Sequence, residues 1–78
     1  MKHFVYALKS INRNYIYVGM TTNLERRIKE HNQGYSKTTK PYAPFNLIFT
    51  EECENRELAR KREKYWKGGS GKRQLKKL

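Results

Sequence analysis

Two short β-forming runs open the chain, Phe4-Val5-Tyr6-Ala7-Leu8 and Tyr15-Ile16-Tyr17-Val18-Gly19, with a small polar turn around Ile11-Asn12-Arg13-Asn14 between them. Such an arrangement predicts an antiparallel hairpin, and a tip at Ile11-Asn12 sets Tyr6 directly opposite Tyr17. The pleat then sorts the side chains onto two faces. Phe4, Tyr6, Leu8, Tyr15, Tyr17 and Gly19 share one, and Val5, Ala7, Ile16, Val18 and Met20 the other. The second face reads as core. The first carries phenol hydroxyls and ends in a glycine that leaves backbone room beside Tyr17, the character of a surface that a ligand approaches.

The period then changes from two to about 3.6. Residues 22–33 read as a helix, opened by Thr22-x-x-Glu25 as a capping box and stopped by a left-handed glycine at Gly34. Leu24 and Ile28 lie four apart on its inner stripe, and Arg27 and His31 fall on the same stripe. Glu25, Arg26, Lys29 and Glu30 already supply a solvated face. An arginine and a histidine at the core-facing edge therefore break the pattern, and such local violations concentrate at functional sites.

Gly34 to Pro44 reads as a surface loop, because two prolines and a run of hydroxyl and lysine residues exclude a helix. Lys37, Thr38, Thr39 and Lys40 can bind phosphate oxygens there, or can simply be solvated. Phe45 to Glu52 fits a third strand beside the hairpin, which reaches the minimum for a stable small sheet. From the N-cap Asn55 to Lys67 the chain is helical, with Leu58, Ala59, Arg62, Tyr65 and Trp66 as its inward stripe. Glu63 sits at the border of that stripe and by itself reads as half of a surface ion pair with a neighbouring cation. Gly68-Gly69-Ser70-Gly71 reads as a helix stop and flexible turn; it lacks the spacing of a phosphate-binding loop. Lys72 to Leu78 is a short basic end that packs through Leu75 and Leu78 or frays.

Charge adds what the pattern cannot. Eighteen Lys and Arg against seven Asp and Glu give a formal charge of +11 in 78 residues, more than solubility requires, and point to a polyanionic partner. No basic amphipathic helix offers a broad aromatic face to a membrane, and no apolar run approaches the roughly 18 residues of a membrane span. One small domain covering residues 1–78, monomeric and cytoplasmic, is the expectation. Cys53 stands alone, reads as a small buried hydrophobe rather than a nucleophile, and has no Cys or His companion at zinc spacing.

The triplets Phe4-Val5-Tyr6 and Tyr17-Val18-Gly19, followed by Met20-Thr21-Thr22-Asn23-Leu24-Glu25-Arg26-Arg27 and then His31, resemble the core of the GIY-YIG nuclease superfamily. Arg56-Glu57-Leu58-Ala59-Arg60-Lys61-Arg62-Glu63-Lys64 is similar to the later helix that carries that family's metal-binding glutamate, which maps to Glu63. The resemblance covers the chain from about residue 3 onward. It is nearest to small stand-alone bacterial members related to the N-terminal catalytic domain of the excision-repair endonuclease. The first triplet begins with Phe4 where the family often has glycine.

This resemblance implies an α/β fold: a small three-stranded antiparallel sheet flanked by helices in the order strand, strand, helix, strand, helix, with a short third helix optional. It implies a metal-dependent endonuclease acting on DNA, in repair or recombination, with Mg²⁺ or Mn²⁺ on Glu63. Tyr6 or Tyr17 would be the general base, its phenol lowered from a pKa of about 10 by nearby cations. Arg27 would hold a phosphate oxygen, and His31 would relay a proton, orient a tyrosine or water, or touch phosphate. Gly19, Arg27, Lys37 and Lys40 are the expected nucleic-acid contacts. The rival class is a module that binds DNA or RNA and cuts poorly or not at all, and a third reading is a basic protein that associates with RNA or ribosomes.

Overall fold

His3–Ser10 forms strand β1 and Ile16–Thr21 forms β2, joined by a loop that spans Ile11 to Tyr15. The turn is wider than a tip at Ile11-Asn12 implies, because the Ser10 amide donates to the Tyr15 carbonyl at 2.9 Å and the Ser10 hydroxyl accepts from the Arg13 amide at 3.1 Å. Tyr6 consequently lies opposite Gly19, and Leu8 opposite Tyr17. A slip of two residues leaves every side chain on its expected face, which is why Tyr6 and Tyr17 still share one.

The computed structural model describes residues 1–78. After β2 come helix α1 (Leu24–Asn32), strand β3 (Phe45–Cys53), helix α2 (Arg56–Lys67) and helix α3 (Gly69–Leu75). The sheet is antiparallel in the order β2-β1-β3, so β1 is central and β2 is an edge. Pairing between β1 and β3 is interrupted beside Ala7 and Leu8, where the register shifts.

Each face of the sheet is covered. Val5, Ala7, Ile16 and Val18 pack with Cys53 and with Ala59, Trp66 and Leu75 from α2 and α3. On the other face Tyr6, Leu8 and Phe45 pack with Tyr17 and with Leu24 and Ile28 from α1. The hydroxyl-rich face is therefore covered by α1 over much of its area: Tyr6 is 1% exposed, while Tyr17 stays half-exposed on the edge strand.

Several local expectations change. The N-cap of α1 is Asn23, not Thr22, and its side chain accepts from the Arg26 amide at 3.1 Å. Gly34, at φ 77°, closes the helix as expected, with the Tyr35 and Gly34 amides returning to the Glu30 and His31 carbonyls. The following loop contains a 3₁₀ turn over Lys40–Tyr42 despite its prolines, because Pro41 sits in the first turn, where a missing N–H costs nothing. In α2 the buried line runs through Ala59 and Trp66, seven residues apart, while Leu58 and Tyr65 are exposed. A helix seated on a three-stranded sheet buries a narrow arc, and Arg62 and Glu63 flank it on either side, half-buried.

Gly68 to Gly71 is the junction of two helices rather than a flexible turn. A Cβ on Gly71 would lie 2.5 Å from Trp66 Cα and from the Tyr65 carbonyl oxygen, so α3 can approach α2 only because that side chain is absent. Leu75 is buried by this packing and Leu78 is not. Gly71→Ala should therefore cost about 1–3 kcal/mol through overpacking. Gly69→Ala, with nothing within 4 Å of the added carbon, should leave the melting temperature unchanged or raise it. Equal melting temperatures for wild type and Gly71→Ala would show that this contact does not hold α3.

Candidate active site

Tyr6 projects from the central strand beneath α1, and the helix delivers Arg27 and His31 to it one turn apart. His31 is fully buried. Its Nε2 lies 3.0 Å from the Tyr6 hydroxyl and 3.4 Å from a terminal nitrogen of Arg27, and its Nδ1 lies 2.8 Å from the Thr39 hydroxyl. Tyr17 completes the cluster from the edge strand, its ring centroid 6.2 Å from that of Tyr6 and 4.8 Å from that of His31. The two tyrosines and the histidine thus meet although their places in the sequence are 25 residues apart at the extremes.

Gly19 gives this cluster its room. A Cβ there would stand 2.7 Å from the Tyr6 hydroxyl and 2.9 Å from a Tyr17 ring carbon. The space expected for a ligand beside Tyr17 is filled by the two phenols.

The electrostatics differ from the expectation for a tyrosine base. Burial pushes the Tyr6 phenol up to about 12, outweighing the hydrogen bond and positive charge of Arg27, while the charges of Tyr17 and Glu63 push it further up. Nearby cations therefore do not lower it overall. At neutral pH only about 10⁻⁵ of such a group is ionised. His31 moves the other way: burial first, and then the Arg27 charge, hold it below 6.5, and Glu30 opposes them weakly. His31 is neutral at physiological pH, with a lone pair available to the phenol proton.

Arg27 is anchored by Glu30, whose carboxylate accepts from it at 2.8 Å. Burial lowers its affinity for the proton, and the bonds to Glu30 and Tyr6 more than restore it. The guanidinium is thus a permanent, fixed fork of donors. By sequence Glu30 belongs to the solvated face; its spacing three residues from Arg27 is the signal that ties it to the site.

Glu63 lies on α2, across the sheet from α1; its charge acts on Tyr6 as the smallest of the influences there, and the groove it lines includes none of Tyr6, Tyr17, Arg27 or His31. Its side chain is largely buried and pairs with Lys67 at 3.4 Å. It lines a groove of about 520 Å³ together with His3, Thr21, Thr22, Arg56 and Arg60. Arg56, Arg60, Glu63 and Lys67 recur at helical spacing, so this row is legible on α2, but its position beside β2 is not. Lys37 and Lys40 are exposed on the α1–β3 loop and do not line this groove, whereas Thr39 of the same loop is buried under His31.

The donor set fits a hard divalent cation. Glu63 offers carboxylate oxygens, the neighbouring Thr21 and Thr22 carry hydroxyls, and His3 has a buried Nδ1 without a hydrogen-bond partner. No further carboxylate, histidine or cysteine completes a closed cage, so an ion on Glu63 would keep positions open for phosphate and water.

The comparisons with known proteins bear on the family and the fold. A UPF0213 protein of Clostridium perfringens is 42% identical over 66 residues, covering 83% of this chain and 70% of that one. A UPF0213 protein of Staphylococcus haemolyticus is 40% identical over 76 residues, covering 96% and 92%. The solution structure of a UPF0213 protein from Bacillus halodurans, 36% identical, superposes with a TM-score of 0.59 over 100% of this chain and 85% of that one. The model of the GIY-YIG catalytic domain matches residues 2–77. With that match spanning nearly its whole length, the chain belongs to the GIY-YIG catalytic domain family.

Proposed function

We propose that the protein is a divalent-metal-dependent endonuclease that hydrolyses phosphodiester bonds of DNA, with repair or recombination as its setting. One observation carries the reading: a buried phenol bonded to a neutral histidine, Tyr6 to His31 at 3.0 Å, within the fields of both Arg27 and Glu63. A structural core does not need an arginine and a histidine at one buried tyrosine hydroxyl, with the charge of a glutamate acting on it from across the sheet.

The chemistry follows from the protonation states. Because the Tyr6 phenolate is scarcely populated, Tyr6 acts by exchange: its oxygen takes a proton from the attacking water as its own proton passes to His31 Nε2. The hydroxide so formed bonds to phosphorus, the P–O3′ bond breaks, and the departing oxygen takes a proton from solvent. Arg27, held by Glu30, donates two hydrogen bonds to a non-bridging oxygen as charge builds there. A divalent ion on Glu63, Mg²⁺ or Mn²⁺, would supply positive charge to the leaving oxygen. Tyr17, half-exposed on the edge strand, would orient the water or the phosphate.

Arg56, Arg60 and Lys67 beside Glu63 would hold the flanking phosphates, with Lys37 and Lys40 as outer contacts, whereas Gly19, buried against the two phenols, would touch none. The test is cleavage of duplex, branched and single-stranded DNA, and of RNA, in Mg²⁺ or Mn²⁺ and then in EDTA. DNA cleavage that EDTA stops is the expected result, with affinity that falls steeply with salt, about 0.9 per phosphate contact on a log-log plot for duplex DNA. Tight, salt-dependent binding with no cleavage of any substrate would replace this reading with a non-catalytic nucleic-acid-binding module.

A further inference from the structure

We propose that Thr39 is a positioning residue that fixes the tautomer of His31, so that its free lone pair faces Tyr6. The inference rests on the reading of Tyr6 and His31 as a proton-transfer pair, and it names a residue outside the motifs that define that pair.

Donor and acceptor capacities decide the tautomer. A guanidinium can only donate, and Arg27 points a nitrogen at His31 Nε2 from 3.4 Å, on the same side as the Tyr6 hydroxyl at 3.0 Å. A proton on Nε2 could be accepted by the Tyr6 oxygen, but it would set a ring N–H against the N–H of that cation, whereas a lone pair on Nε2 suits both neighbours as donors. Nε2 is therefore the lone-pair nitrogen, Tyr6 donates to it, and the ring proton sits on Nδ1, where the Thr39 oxygen accepts it at 2.8 Å. Both residues of this second bond are fully buried, so no water competes for either end. Removing the hydroxyl would leave a buried N–H without a partner, and the ring would escape that penalty by changing tautomer or turning over.

The loop is built to keep Thr39 still. It leads into the 3₁₀ turn Lys40–Tyr42, the Lys40 amide bonds back to Ser36 at 2.8 Å, and the Ser10 hydroxyl donates to the Tyr42 carbonyl at 2.6 Å. The Tyr42 ring stacks on Tyr15 with centroids 3.8 Å apart and planes inclined by 12°. Farther on, the Phe45 amide donates to the Asn32 side chain at 2.6 Å, tying the far end of the loop to the end of α1. A segment rich in lysine and threonine thus serves inward through Thr39, while Lys37, Thr38 and Lys40 face solvent.

The groups that act on His31 are few. Tyr6 comes from β1, Tyr17 from β2, and Arg27 and Glu30 from α1, while β3 presents only the Phe45 ring at 6.2 Å. Thr39 carries no charge. It selects which nitrogen holds the proton, and the charged neighbours set how readily the second proton is taken.

The experiment is long-range ¹H–¹⁵N correlation NMR of the labelled full chain, with single-turnover cleavage across pH on the same samples. Wild type should show His31 as one neutral tautomer protonated at Nδ1. Thr39→Val, nearly isosteric but without the hydroxyl, should give a mixed or Nε2-protonated ring. Its kcat should fall by roughly 10- to 100-fold with KM little changed and the acid limb of the pH profile displaced, as is typical when the partner of a working imidazole is lost. Thr39→Ser should restore the wild-type tautomer and most of the rate. Should the valine variant fail to fold, the wild-type and serine spectra decide: Nδ1 protonation in both supports the proposal, and an Nε2-protonated wild type overturns it. An unchanged tautomer and rate in folded Thr39→Val overturns it as well. A wild-type chain with the Nδ1 tautomer and no cleavage would retain the lock and overturn the nuclease reading instead.

Discussion

Arg27→Ala and Glu63→Ala are each expected to reduce single-turnover DNA cleavage by at least about 10²- to 10³-fold while leaving the domain folded, since loss of one well-placed donor to a developing anionic charge costs on that scale. Arg27 offers a fork that Glu30 already holds in place. Arg27→Lys should recover little, because an ammonium does not reproduce two parallel donors. The two alanine variants should differ in binding. Glu63→Ala removes the one carboxylate that stands among Arg56, Arg60 and Lys67, so it should bind DNA as tightly as wild type or more tightly and yet fail to cut. Arg27→Ala should bind more weakly by about one phosphate contact. Wild-type cleavage in either folded variant would remove that residue from the mechanism.

Tyr6→Phe is expected to cost about 10²–10⁴ in rate, the usual worth of general-base catalysis, and Tyr17→Phe substantially less. The reason for ranking them is the proton acceptor. The Tyr6 hydroxyl has His31 at 3.0 Å, whereas Tyr17 approaches the same ring at a tilt, with no hydrogen bond from its hydroxyl. Both substitutions retain ring packing, so circular dichroism and melting should change little. The pH profile supplies a second check. His31 must be neutral to accept the phenol proton, and its folded pKa lies below 6.5, so cleavage should hold down to below pH 6.5 and then fall as the imidazole charges. Fold stability should begin to decline at higher pH than cleavage does, from about 6.5 downward until the folded imidazole itself charges. The unfolded chain binds the proton near its ordinary value and the folded one only at lower pH, so acid favours unfolding. Normal cleavage by Tyr6→Phe, or an acid limb above pH 6.5, would exclude this proton route.

How far the site was legible depended on whether its geometry is local. The stripe that carries Leu24, Arg27, Ile28 and His31 is a property of one helix, and the exception posed by a cation and an imidazole on it was visible at once. The shared face of Tyr6 and Tyr17 was visible because the pleat has period two, and it withstood an error in the hairpin turn for the same reason. Burial was not visible. The phenol face looked accessible along the strand, yet α1 covers it, and this reverses the direction in which the Tyr6 pKa moves. Gly71 likewise looked like a break in the chain and proved to be a point of close helix contact, since only a neighbour in space distinguishes the two.

The sequence by itself determined the element order, the two faces of the sheet, the placement of Arg27, His31 and Glu63 on their helices, and the excess of positive charge, because periodicity, capping and ionisation are set by nearby residues or by composition. Tertiary structure alone decided that α1 and α2 approach the sheet from opposite sides, so that Arg27 and Glu63 both act on Tyr6. It also decided that a threonine in a polar loop is buried against His31. Those relations depend on chain segments far apart in sequence being brought into one low-dielectric volume. There, desolvation and hydrogen-bond partners, neither encoded at the residue itself, set which nitrogen or oxygen holds the proton.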